Sequence, residues 1–202
     1  MLNKQNLSVT TFSEGTNPIA PPGILISDNF TAATEGHVLV FVNRPNLDPN
    51  DFPVSPDGTL ADPKQGRYMI RNDDAERLAK AIPKPKTMPI LANAMPLLPA
   101  SDSKRFLVGN LGSMQIMTLT PLEQKFPSLT RKLWPRTKPK IEISFSVELL
   151  EKVLSTMKKA STKYFPIVTL RLYAPDKAAR FECNLTDEGQ KMTGLIMPCQ
   201  KS

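Results

Sequence analysis

The sequence predicts an α+β protein whose helices pack on antiparallel sheets. Three observations lead there. Short runs of Val, Ile, Leu and Phe, bounded by Gly, Pro, Asn and Asp, recur along most of the 202-residue chain, as strands separated by turns do. Only two stretches, 72–82 and 146–160, repeat apolar residues at helical spacing with a charged remainder. A strand-like run precedes each of these, and further strand-like runs follow. The chain therefore reads as two strand–helix–strand modules.

Taken in order, "GILISDNFTAATEGHVLVFVN" (23–43) predicts two strands around a polar turn. Residues 44–66 are rich in Pro and Asp and predict a long surface loop or inserted arm. "RYMI" (67–70) is a strand. Asn72 is placed to cap a helix with Asp73, Asp74 and Glu76 in its first turn, where acids suit the helix dipole. Ala75, Leu78, Ala79 and Ile82 form its apolar stripe, Arg77 and Lys80 lie off it, and Pro83 ends it, with Lys84 and Lys86 just beyond. Strands follow at 105–109 and 113–119, and then "QKFPSLTRKLWPRTKPK" is too rich in proline and base for regular structure. "IEISF" (141–145) predicts a strand and Ser146 a cap. In the helix after it Val147, Leu150, Val153, Leu154 and Met157 share one side, while Lys152, Lys158 and Lys159 lie elsewhere. Strands at 167–174, 178–186 and 191–199 complete the pattern. The organisation expected is a single domain, with one module at about 1–122, a connection at 123–139 and a second module at 140–202.

Composition narrows the class. No apolar run reaches the ~20 residues of a membrane helix; the longest candidate, Pro89–Ala100, holds three prolines and an asparagine. "MLNKQNLSVTTF" lacks the apolar stretch of a secretory signal, so a cytoplasmic protein without membrane contact is expected. Cys183 and Cys199 match no zinc or redox spacing and are expected as free or buried thiols. Twenty prolines imply many edges and connections. Residues 1–72 carry five basic and seven acidic side chains, whereas 73–202 carry twenty-one and twelve. The excess of nine positive charges over the second region suits an anionic partner, nucleic acid first, or a solvated lysine-rich surface.

Catalytic signatures are absent. GxGxxG, GxxxxGK[ST], HExxH and GxSxG do not occur. Asp73 and Asp74 are better placed as helix-start partners than as an acid/base pair, and a metal held by Glu35, His37 and a distant cysteine would be an unusual ligand set. No cofactor is expected. An enzyme built on His37, the sole histidine, is the minor alternative.

Three stretches together resemble the bacterial DNA polymerase III beta subunit, the replicative sliding clamp. "NFTAATEGHVLVFVNRP" (29–45) is similar to the family's Ala-Thr-Asp-Gly-His-Arg-Leu-Ala hairpin. "QKFPSLTRKLWP" (124–135) is similar to its Phe-Pro-Asp-Tyr-Arg-Arg-Val-Leu-Pro connection, and "TGLIMPCQ" to its terminal Val-Met-Pro-Met. They occur in family order. Glu35 replaces the family's Asp, Val38 its Arg and Cys199 its last Met, and Trp134 is an insertion. The resemblance implies a DNA-clamp-like fold of about one clamp-type domain and a non-enzymatic processivity factor working as a homo-oligomer. It also implies a hydrophobic pocket for polymerase or clamp-loader peptides, lined by Thr34, Gly36, His37, Leu39, Pro127, Arg131, Leu133, Ile196, Met197 and Pro198. Duplex DNA would be held without sequence preference by Arg77, Lys80, Lys84, Lys86, Lys152, Lys158, Lys159 and Lys163. A clamp-fold module that binds only protein peptides is the alternative reading.

Overall fold

The structure, a computed structural model, describes residues 1–13, 22–36, 38–48, 51–52, 66–84, 89–100, 102–110, 113–127, 139–161, 166–185 and 190–199. The chain divides into two compact units, Met1–Ser128 and Leu129–Ser202.

The first unit is built twice from one pattern. Strand β1 (Leu2–Asn3) leads into helix α1 (Lys4–Leu7) and a 3-10 turn at Ser8–Phe12, then β2 (Gly23–Ile26), β3 (Phe30–Thr34) and β4 (Leu39–Asn43). Strand β5 (Tyr68–Arg71) leads into α2 (Asn72–Ala81), a 3-10 turn at Pro89–Ala92, then β6 (Asn93–Ala100), β7 (Ser103–Asn110) and β8 (Ser113–Leu119). The two sheets run β4-β3-β2-β5 and β1-β6-β7-β8, and every adjacent pair is antiparallel. Each half thus donates its leading strand to the other half's sheet. The registers agree: the residue just before each helix, Arg71 or Asn3, sits opposite the first residue of the other half's sheet, Gly23 or Asn93.

One apolar core joins the halves. Leu2, Ile24, Ile26, Ile70, Phe106 and Val108 meet Leu78 of α2 and Ile82 just after it in a single buried cluster. Asn6 is also fully buried, and its side-chain amide donates to Thr31 Oγ1, to the Val42 carbonyl at 3.1 Å and to the Asn43 carbonyl at 2.9 Å. These bonds offset its desolvation and tie α1 to β3 and β4. The predicted arm at 44–66 is anchored by Phe52, 2% exposed in a second cluster with Met95 and Leu107; 53–65 lie outside the described residues.

The second unit contains α3 (Val147–Ala160) and a sheet β11-β10-β9, with β9 at Val168–Arg171, β10 at Ala179–Asn184 and β11 at Lys191–Ile196. Met157, Phe181, Cys183 and Ile196 form its core, with Phe145, Leu150 and Val153 packed against them. Gly194 lets α3 lie close: a Cβ there would stand 3.1 Å from a Val153 methyl.

Several sequence expectations need correction. Residues 23–43 form three strands, because Ser27–Asn29 turn tightly and the Ser27 N–H donates to the Phe30 carbonyl at 2.9 Å. Asn72 is the first residue of α2 and not its cap; its side-chain oxygen accepts from Ser13 Oγ at 2.6 Å, and Arg71 at the cap position gives no side-chain bond. Ser146 does cap α3, accepting from the Leu149 N–H at 3.4 Å. Val147 and Leu154 are exposed, since only Leu150, Val153 and Met157 of the predicted stripe reach the small sheet. Residues 141–145 are not a strand among the described residues; the Ser144 carbonyl accepts the Cys199 N–H at 2.8 Å. Strands β1 and β6 and helix α1 were not foreseen, because the elements before β2 are too short to show a period and prolines interrupt β6.

Candidate functional site

The β3–β4 hairpin is shaped by Thr34. Its hydroxyl donates to the Val38 carbonyl at 2.7 Å and accepts the Gly36 N–H at 3.0 Å. Gly36 has φ +98°, a conformation that side chains beyond glycine rarely tolerate. The turn is therefore fixed by side-chain chemistry on one flank and by glycine at its tip. Leu39 opens β4 opposite Thr34 and is half-buried. His37 lies outside the described residues.

The other proposed pocket residues are distributed as follows. Pro127 is exposed near the end of the first unit, and Arg131 and Leu133 lie outside the described residues. Ile196, Met197 and Pro198 belong to the second unit. Ile196 is buried in that unit's core, so its side chain holds the end of β11. Met197 is 64% exposed, pinned between the strand end and the Cys199–Ser144 hydrogen bond. A polarisable, unbranched side chain held open in this way is suited to apolar ligands of varied shape. Two open clefts in the first unit, one beside Asn3, Pro45 and Pro83 and one beside Pro22, Arg71 and Leu122, include none of the proposed lining residues.

The proposed DNA contacts differ between the helices. On α2, Arg77 pairs with Asp74 at 3.0 Å and Lys80 with Glu76 at 3.9 Å, so acids partly offset that basic face. Lys84 is exposed beyond the helix end, and Lys86 and Lys163 lie outside the described residues. On α3, Lys152, Lys158 and Lys159 are all exposed. Lys152 and Lys159 stand seven residues apart on the side away from Leu150, Val153 and Met157. A phosphate chain could approach them without displacing a carboxylate.

Charge elsewhere is structural. Arg44 is largely buried, donates to the Met1 carbonyl at 2.8 Å and the Ser27 carbonyl at 3.0 Å, and has its pKa lowered by that burial. Burial likewise pushes the Tyr68 hydroxyl well above the usual phenol range. Glu182, on β10, pairs with Arg171 at 3.0 Å and with Arg180, and these cations hold its carboxyl below the usual range. Among the described residues, no group of three His, Cys, Asp or Glu side chains could hold a metal.

Sequence reasoning missed an exposed apolar set in the second unit: Leu149, Ile167, Leu170, Leu172 and Tyr173. A signal existed in "IVTLRLYA", where apolar residues outnumber polar ones on a run predicted as a strand.

No family model and no curated protein matches the chain. Solved structures do. A protein described as a DNA polymerase III beta subunit from Eubacterium rectale is similar with a TM-score of 0.63 and 13% identity, over 96% of this chain and 47% of that one. The fold is that of a sliding clamp. The Pseudomonas aeruginosa sliding clamp, DNA polymerase III subunit beta, bound to griselimycin, is similar with a TM-score of 0.62 and 15% identity over the same shares. The chain spans about half the length of these clamps. The clamp fold accounts for the strand–helix–strand modules and their antiparallel sheets.

Proposed function

We propose that this clamp-fold protein is a non-enzymatic processivity factor that holds duplex DNA through its phosphates and recruits replication enzymes by a short peptide. The observation that carries the proposal is the clamp fold over 96% of the chain. Exposed lysines on α3, on the face turned from the core, support the DNA contact. Lysine meets phosphate as a point charge, so such binding follows counterion release and not base sequence. The Thr34–Leu39 hairpin, the Pro127 segment and exposed Met197 are the proposed peptide contacts, with His37 a wall residue and neither a base nor a ligand. A homo-oligomer is the proposed working state, and the cytoplasm the proposed location.

Anisotropy titrations of fluorescent duplexes against salt test the DNA part. Binding should be independent of sequence and fall steeply with salt. Lys152→Glu with Lys159→Glu should lower affinity for all duplexes alike and reduce the log–log salt slope by about 2, near 0.9 per phosphate contact. Absence of binding at low salt would leave the protein-only module as the better reading. Calorimetry with a leucine- and phenylalanine-containing peptide tests the pocket, and Met197→Ala should weaken it by about 1 kcal/mol.

A further inference from the structure

The sheet of the second unit has two unlike faces, and its register sorts the side chains between them. Phe181 pairs with Gly194 and Leu170, and Cys183 with Met192 and Val168, so these residues share the face turned to α3. Alternation along each strand sends Arg180, Glu182 and their partners to the other face. There Arg171, Arg180 and Leu195 form one row across the three strands, and Thr169, Glu182 and Thr193 the next. Lys191 lies on the same side of β11 as Thr193 and Leu195.

This second face is open to solvent and mixed in character. Thr169, Arg171, Lys191 and Thr193 are exposed, and Leu195 is 67% exposed. The alternation runs past the strand end: Ile196 is buried and Met197 exposed, so Leu195 and Met197 form an apolar rim beside the arginines. Charge on the face is unbalanced. Arg171, Arg180 and Lys191 stand against the carboxylate of Glu182, which accepts from both arginines. A guanidinium has five donors. Arg180 gives one amino group to Glu182, and its Nε has no partner among the described residues. Arg171 gives its Nε, which leaves the terminal amino groups of a largely exposed side chain for a ligand. Glu182 holds both guanidiniums over the sheet, so they are ordered before a ligand arrives.

We propose that this face takes an acidic flank of the recruited peptide, with the peptide's apolar side chains on Leu195 and Met197 and a nearby carboxylate on Arg180 and Arg171. Neighbouring strands stand about 4.8 Å apart and an extended peptide advances about 3.3 Å per residue. A carboxylate roughly one to three residues from an apolar side chain on Leu195 therefore reaches Arg180 or Arg171. Charge complementarity favours a peptide over nucleic acid. A phosphate chain crossing the sheet would meet Glu182 in the middle, whereas a single carboxylate needs only the arginines beside it. The inference rests on the peptide recruitment proposed above and adds a charge preference to it.

Fluorescence anisotropy on the full chain tests this with three synthetic peptides. They share a leucine- and phenylalanine-containing core and differ only in the two residues on each flank, which are Asp, Asn or Lys. The Asp peptide should bind on the order of tenfold more tightly than the Asn peptide, and the Lys peptide more weakly than both. The gap should narrow as salt rises. Arg180→Gln should bring the Asp and Asn peptides close to equal affinity, because Glu182 then neutralises Arg171. Arg180 is half-exposed, so the variant should keep its circular dichroism; the peptide series on the unsubstituted chain decides the matter even if it does not. Equal binding of the Asp and Asn peptides overturns the charge preference and leaves peptide recruitment standing, and no binding by any of the three overturns both. A single-stranded thymidine oligonucleotide that displaces the Asp peptide and itself depends on Arg180 would assign the face to nucleic acid and overturn the proposal.

Discussion

The two units carry one structural pattern in two conditions. In Met1–Ser128 two copies exchange leading strands, and the shared core draws from both sheets and α2. In Leu129–Ser202 a single copy has a three-stranded sheet, a six-residue buried cluster and an exposed apolar edge. The lesson concerns burial. The first strand after the loop that follows the helix is dry where a strand from the other half lies beside it, as β2 is, whereas Leu170 of β9 is 47% exposed.

The comparison predicts unequal costs at equivalent positions. Phe106 on β7 and Phe181 on β10 occupy the middle strand after the helix in their copies. Phe106→Ala should cost about 4 kcal/mol and Phe181→Ala about 3 kcal/mol, because truncation in the smaller core removes fewer contacts. Hydrogen exchange in denaturant, which reads each unit by its own amides, would measure both. Equal costs would mean that the second unit is as well packed as the first.

Two glycines sharpen the point. A Cβ at Gly23 would stand 2.3 Å from the Ile70 carbonyl oxygen, where exchanged strand β5 meets β2. Backbone cannot give way as a side chain can. Gly23→Ala should cost roughly 2 kcal/mol, whereas Gly194→Ala, meeting only Val153 and Met157 side chains, should cost less than about 1 kcal/mol. Thermal unfolding of the two variants gives the ranking.

Smaller effects distinguish the helices. Ser146→Ala removes the side-chain cap of α3 and should destabilise the second unit by about 0.5–1 kcal/mol, with no counterpart at Arg71 of α2. The least effect concerns pH. The Glu182 pKa is depressed by Arg171 first, with Arg180 and Lys191 adding to it. Its contribution is therefore complete above the unfolded carboxylate pKa and is lost as pH falls through the lower folded value. Melting of the second unit should weaken in acid, and Glu182→Gln should flatten that dependence.

Legibility in the sequence followed local periodicity. Helices α2 and α3 were readable because Ala75, Leu78 and Ile82, and Leu150, Val153 and Met157, repeat at helical spacing, and Ser146 was readable as a cap. The hairpin at Thr34–Gly36 was readable from turn chemistry, and the clamp-like fold from three short motifs. Asn72 misled because its side chain serves Ser13, a partner distant in sequence. Asn6 gave no sign that it would be buried and satisfied by β4 carbonyls. Of the proposed pocket residues, the turn at Thr34, the pairing of Leu39 and the burial of Ile196 against the exposure of Met197 came from the structure.

The sequence by itself determined helices α2 and α3, most of the later strands and where charge accumulates, because these depend on neighbours within a few residues. Tertiary structure decided which strands exchange, which apolar residues become dry and whether 141–145 becomes a strand. Those outcomes depend on backbone donors, acceptors and packing surfaces supplied by residues distant in sequence.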